Sequence, residues 1–463
     1  MPKLDPSTTE FRSAGHRLID WIADYFDNIE QYPVLSRVSP GDVEKQFAAA
    51  PSVGGKAYDE LLAEFDEKLV PGITHWNHPS FFAYFSITGS QAGVLAEMLS
   101  SAINANGMLW KTSPSLTELE TLTLRWLRNA LGLPGNLFGI INDTASINVY
   151  LALAAAREAL GLGIRAEGMT GRDLPVMRLY CSQHAHSSVD KAALALGYGQ
   201  NNIVKVACDD AFRMLPEALE DAIRADRAAG FLPATIVATI GTTSIASIDP
   251  VRRIGELAAR ENIWLHVDAA YAGSAAIVPE YQTMWDGIEY ADSVVVNPHK
   301  WLFTQVDLSV LYTRQPNMLR NAFALTEIPP YLTTTDTAEI NYMDYGLQLG
   351  RRFRALKLWM VMEHYGLERM RAVIRDQVGF AARLAEELVK REDVELLAPQ
   401  SLSVVVFRRK SGDEETLALI DKMNASGKLF VSHTKIDGKV GIRVAIGNGA
   451  TEWRHVAEIL SFL

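Results

Sequence analysis

Between residues 137 and 300, short apolar runs alternate with helical patterns, and each run ends in a cluster of polar side chains. The runs at 137–141, 176–181, 235–240, 263–267 and 293–297 read as strands buried on both faces. Helical stretches between them imply right-handed βαβ crossovers and a mainly parallel sheet. The chain is thereby restricted to an α/β architecture, in which ligands sit beyond the carboxyl ends of the strands. Those ends carry Asp143, Thr144, Ala145 and Ser146; His184 and His186; Thr242 and Thr243; Asp268; and Asn297, His299 and Lys300.

Lys300 stands out because it follows a continuous apolar strand and makes poor packing material. A partly desolvated lysine loses its proton readily and attacks carbonyls. A lone lysine at a strand end reads better as a surface residue, so the other clusters must decide. The turn 144–146 precedes a long Ala/Leu-rich helix, an arrangement that binds anions through free N–H groups and the helix dipole. The same residue types also serve as plain N-caps. An amine, a carboxylate at a strand end, imidazoles and an anion site together suit pyridoxal phosphate, with its aldehyde, pyridine nitrogen and phosphate. The competing reading is a metal held by His184, His186 and Asp268. It lacks a third and fourth ligand set at metal-site spacing, and no metal is expected.

The 463 residues are 48% hydrophobic and 21% charged, enough for two or three domains. A net charge of −11 without any basic run disfavours nucleic-acid binding. Cys181 and Cys208 form neither a disulfide framework nor a zinc site. The apolar tract 149–156 is too short to span a bilayer, and the first residues lack a signal-peptide core. A cytoplasmic protein is expected. Ser7-Thr-Thr-Glu10 reads as a capping box opening a helix to about residue 29, whose apolar face needs a surface to lie on. Ser115-Leu-Thr-Glu118 reads as a second capping box. The aromatic stretch 76–85 reads as an irregular loop lining a site or plugging a core. Residues 323–345 lack a clean period, which marks a functional or disordered loop. A helical region from 350 to about 391 breaks near Gly366. The tail reads as a small α/β unit, with strands at 403–408, 429–433 and 440–446 and helices at 413–424 and from 451.

The chain resembles the pyridoxal-phosphate-dependent group II amino acid decarboxylases, most closely the aromatic L-amino acid decarboxylases. The stretches that carry this are Thr74-His-Trp76, Phe81-Phe-Ala-Tyr-Phe85, Glu118-Leu-Glu120, Ala185-His-Ser-Ser188, Gly241-Thr-Thr243, His266-Val-Asp-Ala-Ala-Tyr-Ala-Gly273, Asn297-Pro-His-Lys-Trp301 and Leu349-Gly-Arg-Arg-Phe-Arg354. The resemblance implies fold type I, the aspartate aminotransferase-like fold of pyridoxal-phosphate enzymes. It implies an N-terminal helical dimerisation segment (1–88), a large cofactor domain (89–350) and a small C-terminal domain (351–463). It also implies a homodimer with active sites at the subunit interface. Lys300 would bond the cofactor's aldehyde. Asp268 would pair with the pyridine nitrogen, Ala270 would pack under the ring, and His186 would stack on its other face. Thr144, Ala145, Ser146, Asn297 and His299 would hold the phosphate, with Thr243 close to ring and substrate. Tyr331 would return a proton to the substrate Cα after CO₂ leaves.

The expected activity is decarboxylation of an aromatic L-amino acid, of the tryptophan, phenylalanine, tyrosine or DOPA class, to the arylalkylamine. The alternatives are an aromatic aldehyde synthase or an aminotransferase on the same scaffold, the latter with Arg443 at the substrate carboxylate. Trp76, Tyr84, Phe85, Ile87, Asn106, Met108, His186, Thr243 and Gly350 are expected around the substrate. Asn106 and Met108 would reach into the neighbour's pocket. Asp143, Ser86 and Ile87 depart from the residues that the animal aromatic enzymes carry. Ile87 in place of threonine and the small Gly350 lean toward tryptophan or phenylalanine over DOPA.

Overall fold

The computed structural model describes residues 7–87, 89–325 and 339–463. A seven-stranded sheet is built from β1 (Phe138–Asn142), β2 (Met177–Ser182), β3 (Ile203–Val206), β4 (Leu232–Thr239), β5 (Trp264–Asp268), β6 (Ser293–Val296) and β7 (Ser309–Thr313). Their order is β1-β7-β6-β5-β4-β2-β3. The run from β3 to β6 is parallel. β7 pairs antiparallel with both β6 and β1, so the expected strand at 137–141 forms an antiparallel edge. β4, β5, β6 and β7 are almost wholly buried, as helices cover both faces of the sheet. β3 and β7 were not anticipated from the sequence.

A second, antiparallel sheet forms from β8 (Val394–Leu396), β9 (Val404–Arg409), β10 (Ser432–Ile436) and β11 (Lys439–Ala445) in the order β10-β11-β9-β8. The strand expected at 429–433 begins later, at Ser432. Leu429 and Val431 are instead buried in the small core, and Phe430 exchanges backbone hydrogen bonds with the aromatic loop. Phe82 N–H donates to Phe430 O at 2.8 Å, and Ala445 N–H donates to Phe82 O at 2.9 Å. The aromatic loop is thus tied to the small sheet, with Phe81, Phe82 and Ala83 fully buried.

The first helix, Thr8–Asp27, is capped as expected: Glu10 N–H donates to Ser7 Oγ, and Ser7 N–H donates to Glu10 Oε2. The second expected capping box does not form. That helix runs Pro114–Ala130, because proline at its first position starts it before Ser115. Glu118 instead accepts a 2.9 Å bond from Trp110 Nε1. The helix Arg354–Val389 breaks at Gly366, whose φ of 66° lies in the left-handed region.

Candidate active site

The carboxyl ends of the main-sheet strands enclose a cavity of about 260 Å³. Lys300 borders it from the short helix Pro298–Trp301, directly after β6. Burial lowers the pKa of its amine, the nearby Arg443 charge pushes the same way, and Asp268 opposes them. Asp268 ends β5, is 6% exposed, and accepts the Ala270 N–H at 3.1 Å through Oδ1.

His186 caps the helix Ser187–Ala195. Its Nδ1 accepts the Ser188 N–H at 3.2 Å and lies 2.8 Å from Ser188 Oγ. An accepting Nδ1 places the proton of the neutral ring on Nε2. Burial lowers this histidine's pKa, partly offset by Asp268. His299 shows the same logic. Its Nδ1 accepts the Leu308 N–H at 2.8 Å, and burial pushes its pKa down to about 3. It is a neutral Nε2–H donor at the cavity wall.

The helix Ala145–Ala159 begins at the same cavity, with Thr144, Ala145 and Ser146 lining it. First-turn N–H groups have no intrahelical acceptor, so they suit an anion. Asp143 does not compete for that place. Its Oδ1 accepts the Thr144 N–H at 2.6 Å, and its Oδ2 accepts Gln348 Nε2 at 3.1 Å. A chain of buried amides supports the cradle. Asn142 Nδ2 donates to Asn148 Oδ1 at 2.7 Å, Asn148 Nδ2 donates to Ser309 Oγ at 2.7 Å, and Ser309 Oγ–H donates to Asn297 Oδ1. With its oxygen committed, Asn297 can offer the cavity only its NH₂ group. Pyridoxal phosphate fits this donor set. A helix N-terminus, an amide NH₂ and an imidazole N–H suit the phosphate, a buried carboxylate suits the ring nitrogen, and a deprotonation-prone lysine suits the aldehyde.

Phe85, Thr144, Ala145, Ser146, His186, Thr243, Asp268, Ala270, Asn297, His299 and Lys300 all line this one cavity. Trp76, Tyr84, Ile87, Asn106, Met108 and Gly350 do not. Trp76 stacks on Phe81 at 4.4 Å and on the exposed Tyr84 at 5.8 Å. Asn106 and Met108 form a separate group, with Asn106 Nδ2 3.7 Å from Met108 Sδ. The Gly350 Cα–H faces that same Asn106 amide, and the Arg351 N–H donates to Asn106 Oδ1 at 2.9 Å. Tyr331 lies outside the described residues. His184 packs edge-on against Phe212 at 5.4 Å, and no group of acidic, histidine or cysteine residues suited to a metal occurs among the described residues.

The sequence reading missed Ser188, Thr239, Gly241 and Tyr271 on the cavity wall, and the supporting Asn142, Asn148 and Ser309. Asn148 had a usable signal: it is an amide on the buried face of an otherwise Ala/Leu helix. Tyr271 stacks between Phe85, at 3.7 Å, and Trp301, at 4.6 Å, which fixes the floor next to Lys300. Arg443 is buried on β11. Its Nε donates to Thr243 O at 2.7 Å, its Nη1 donates to Tyr84 O, and its Cζ lies 4.4 Å from the Phe85 centroid.

The pyridoxal-dependent decarboxylase conserved domain matches residues 40–410. The chain is 40% identical over 480 residues to tyrosine decarboxylase 2 of Arabidopsis thaliana, covering 98% of this chain and 87% of that protein. It is 38% identical over 474 residues to phenylacetaldehyde synthase of the same plant, covering 98% and 95%. The Oryza sativa TDC solved with PLP and tryptamine superposes with a TM-score of 0.94 at 34% identity, covering 99% of both chains. Catharanthus roseus tryptophan decarboxylase in complex with L-tryptophan gives 0.92 at 34% identity, covering 99% of this chain and 98% of that one. The fold is that of fold type I. On the strength of a match that runs almost end to end, this chain belongs to the pyridoxal-dependent decarboxylases, carboxy-lyases that work with pyridoxal 5′-phosphate.

Proposed function

We propose that this enzyme removes the carboxylate of an aromatic L-amino acid as CO₂ and releases the arylalkylamine. The observation that carries the proposal is the meeting of Lys300, Asp268 and His186 in one cavity walled by Phe85 and Tyr271. When bound there, pyridoxal phosphate supplies an aldehyde for the amine and a ring that accepts the electrons left by departing CO₂. Lys300 would hold the cofactor through its amine. Asp268, acceptor-only when ionised, keeps a proton on the pyridine nitrogen. His186 would lie against the ring, with its Nε2–H available to the substrate. The first turn of the helix Ala145–Ala159, the Asn297 amide and His299 hold the phosphate. Tyr331 returns the proton to Cα.

An aromatic substrate is supported by the Phe85 wall, by the nearby Trp76–Tyr84 stack, and by relatives named as tyrosine and tryptophan decarboxylases. Gly350, with no side chain beside Asn106, leans toward a bulky indole or phenyl group.

We further propose a cytoplasmic homodimer, with residues 1–88 dimerising, 89–350 binding cofactor and 351–463 forming the small domain. The amphipathic helix Thr8–Asp27 buries no residue within its own chain. The helix Gln91–Ile103 exposes Leu95, Met98, Leu99 and Ile103 along one stripe. A second copy would cover both. It would also bring Asn106, Met108 and Gly350, which lie apart from their own chain's cavity, to the partner's site. Cys181 and Cys208 are free thiols, which suits a reducing compartment.

An aldehyde synthase is the second reading, favoured by the 38% identity to phenylacetaldehyde synthase. His186 and Tyr331 favour the decarboxylase, because aldehyde synthases on this scaffold tend to lose one of them. The aminotransferase reading needs a bidentate clamp from Arg443, yet two of its nitrogens already serve the carbonyls of Thr243 and Tyr84. A panel of amino acids assayed with added cofactor decides between them. Amine with CO₂ supports the proposal. Aldehyde with ammonia and peroxide selects the synthase, and a keto acid without CO₂ selects the aminotransferase. Inactivity on every aromatic substrate overturns the aromatic assignment.

A further inference from the structure

Asp268 is backed by a second polar layer. Trp264, His266 and Asp268 alternate along β5 and so share one face of the sheet. Ser293 of β6 stands opposite His266 in register. His266 and Ser293 are fully buried. Trp264 Nε1–H, which can only donate, reaches Ser293 Oγ at 3.0 Å, and His266 Nδ1 lies 2.8 Å from the same oxygen. Ser293 Oγ accepts from Trp264 and keeps a hydrogen of its own, which it can give to His266 Nδ1. Burial pushes the His266 pKa down to about 4, so the ring is neutral, and with Nδ1 accepting from Ser293 its single proton sits on Nε2.

That Nε2 has no hydrogen-bond partner among the described residues. Neither does Thr239 Oγ1, which lies on the same face of β4 and pairs with Asp268 in register. Two unsatisfied polar groups thus flank one carboxylate, and buried polar atoms are normally satisfied. Same-face neighbours on a strand stand about 7 Å apart, a gap that one water bridges.

We propose that His266 is a positioning residue for Asp268. Its Nε2–H, shared through a bridging water with Thr239 Oγ1, donates toward the Asp268 carboxylate and keeps it aimed at the cofactor's ring nitrogen. The hydroxyl of Ser293 and the indole of Trp264 set the tautomer that makes this possible. The inference rests on the assignment of Asp268 to the pyridine nitrogen.

The test uses the full-length apoenzyme titrated with pyridoxal phosphate. Affinity is followed by absorbance, and ring-nitrogen protonation by the ¹⁵N shift of labelled cofactor. His266→Phe keeps an aromatic ring and removes both nitrogens. It is expected to weaken cofactor binding about ten-fold, the worth of one hydrogen bond to a charged group. It should also move the ¹⁵N signal toward the unprotonated value. His266→Gln, which retains an amide donor, should recover part of both effects. Ser293→Ala releases the tautomer with little change in volume and should shift both readouts the same way by a smaller factor. If His266→Phe fails to fold, Ser293→Ala decides. Parental affinity and ¹⁵N shift in the folded variants overturn the proposal. A parent enzyme that binds no pyridoxal phosphate, or whose cofactor absorbance survives Lys300→Ala unchanged, overturns the cofactor assignment itself and the proposal with it.

Discussion

Lys300 Nζ lies 5.4 Å from the centroid of the Phe85 ring, and the Arg443 guanidinium carbon lies 4.4 Å from the same centroid. Two basic side chains thus share one aromatic side chain in a largely desolvated place. No carboxylate among the described residues forms an ion pair with Arg443, and burial lowers its pKa to about 10. A fixed positive charge here disfavours the protonated form of Lys300, and the neutral amine is the nucleophile.

Arg443→Met should therefore raise the proton affinity of Lys300. The pH midpoint for cofactor bonding to the apoenzyme is expected to move up by about one unit. Arg443→Lys keeps the charge and should hold the midpoint near the parent value, although it loses the bonds to Thr243 O and Tyr84 O. Absorbance after cofactor addition across a pH series measures both, and identical midpoints in all three proteins would contradict the electrostatic role.

The amide chain from Asn142 to Asn297 predicts a long-range effect on the phosphate. Asn148→Leu removes the donor to Ser309 and strands the Asn142 amide. We expect a stability loss of about 1–3 kcal/mol in denaturant unfolding. Cofactor should also dissociate faster, because Asn297 is no longer oriented. A variant with parental cofactor retention would show that Asn297 needs no support from this chain.

Arg351 and Glu120 form a buried pair. Arg351 Nη2 donates to Glu120 Oε1 at 2.7 Å and to Ile141 O at 2.7 Å, while the Ile141 N–H donates to Glu120 Oε1 at 2.9 Å. Their side chains are only 4% and 1% exposed. Glu120→Ala leaves a buried guanidinium uncompensated and should cost about 3–5 kcal/mol. Replacing both residues by apolar ones of similar size should cost much less. Equal losses in the single and double variants would contradict this account.

Five buried histidines, His75, His78, His266, His299 and His455, have lowered pKa values and make the fold acid-sensitive, three of them strongly. Burial lowers the pKa of His78 to about 4, of His266 to about 4 and of His299 to about 3. An unfolded histidine titrates near about 6.5. Between these values the unfolded chain binds protons that the folded chain does not, so stability rises with pH. The contribution is fully present above about pH 6.5 and is lost as pH falls through the folded values. Unfolding free energy of the apoenzyme should start to fall below about pH 6.5, with His78, His266 and His299 together contributing a slope of about three protons. His78→Gln should reduce that slope by about one proton. Unchanged stability down to about pH 5 would rule the effect out.

Tyr331→Phe tests the proposed proton donor. Cofactor affinity should match the parent, while amine formation slows by on the order of 10²-fold. Part of the product should appear as aldehyde, read by chromatography of the reaction mixture. Amine produced at the parental rate would exclude Tyr331 from the proton transfer.

Much of this was legible in the linear chain because each element leaves a local trace. A parallel strand buried on both faces reads as a short apolar run. A crossover needs a helix, and strand ends collect the polar residues that packing rejects. Hence β2, β4, β5 and β6 lie close to their expected positions, and Lys300, Asp268, His186 and the turn before Ala145, expected at strand ends, line one cavity there. β7 escaped because its apolar residues follow Lys300 closely, where the pattern of strand and helix stops alternating. The capping box at Ser115 misled because Pro114 starts the helix earlier, one local preference overriding another.

By itself the sequence determined the α/β class, the polar strand ends and the family-like order of motifs, since periodicity and composition are local properties. The tertiary structure alone decided that β1 and β7 run antiparallel at the sheet edge. It alone tied the aromatic loop to the small sheet through Phe82 and Phe430. It also set the Arg443 guanidinium on Phe85, the Asn142–Asn297 amide chain across three strands and a helix, and Trp264, Ser293 and His266 behind Asp268. These depend on register and on contacts between residues far apart in the chain, and hydrogen-bond geometry of that kind exists only once the strands are aligned.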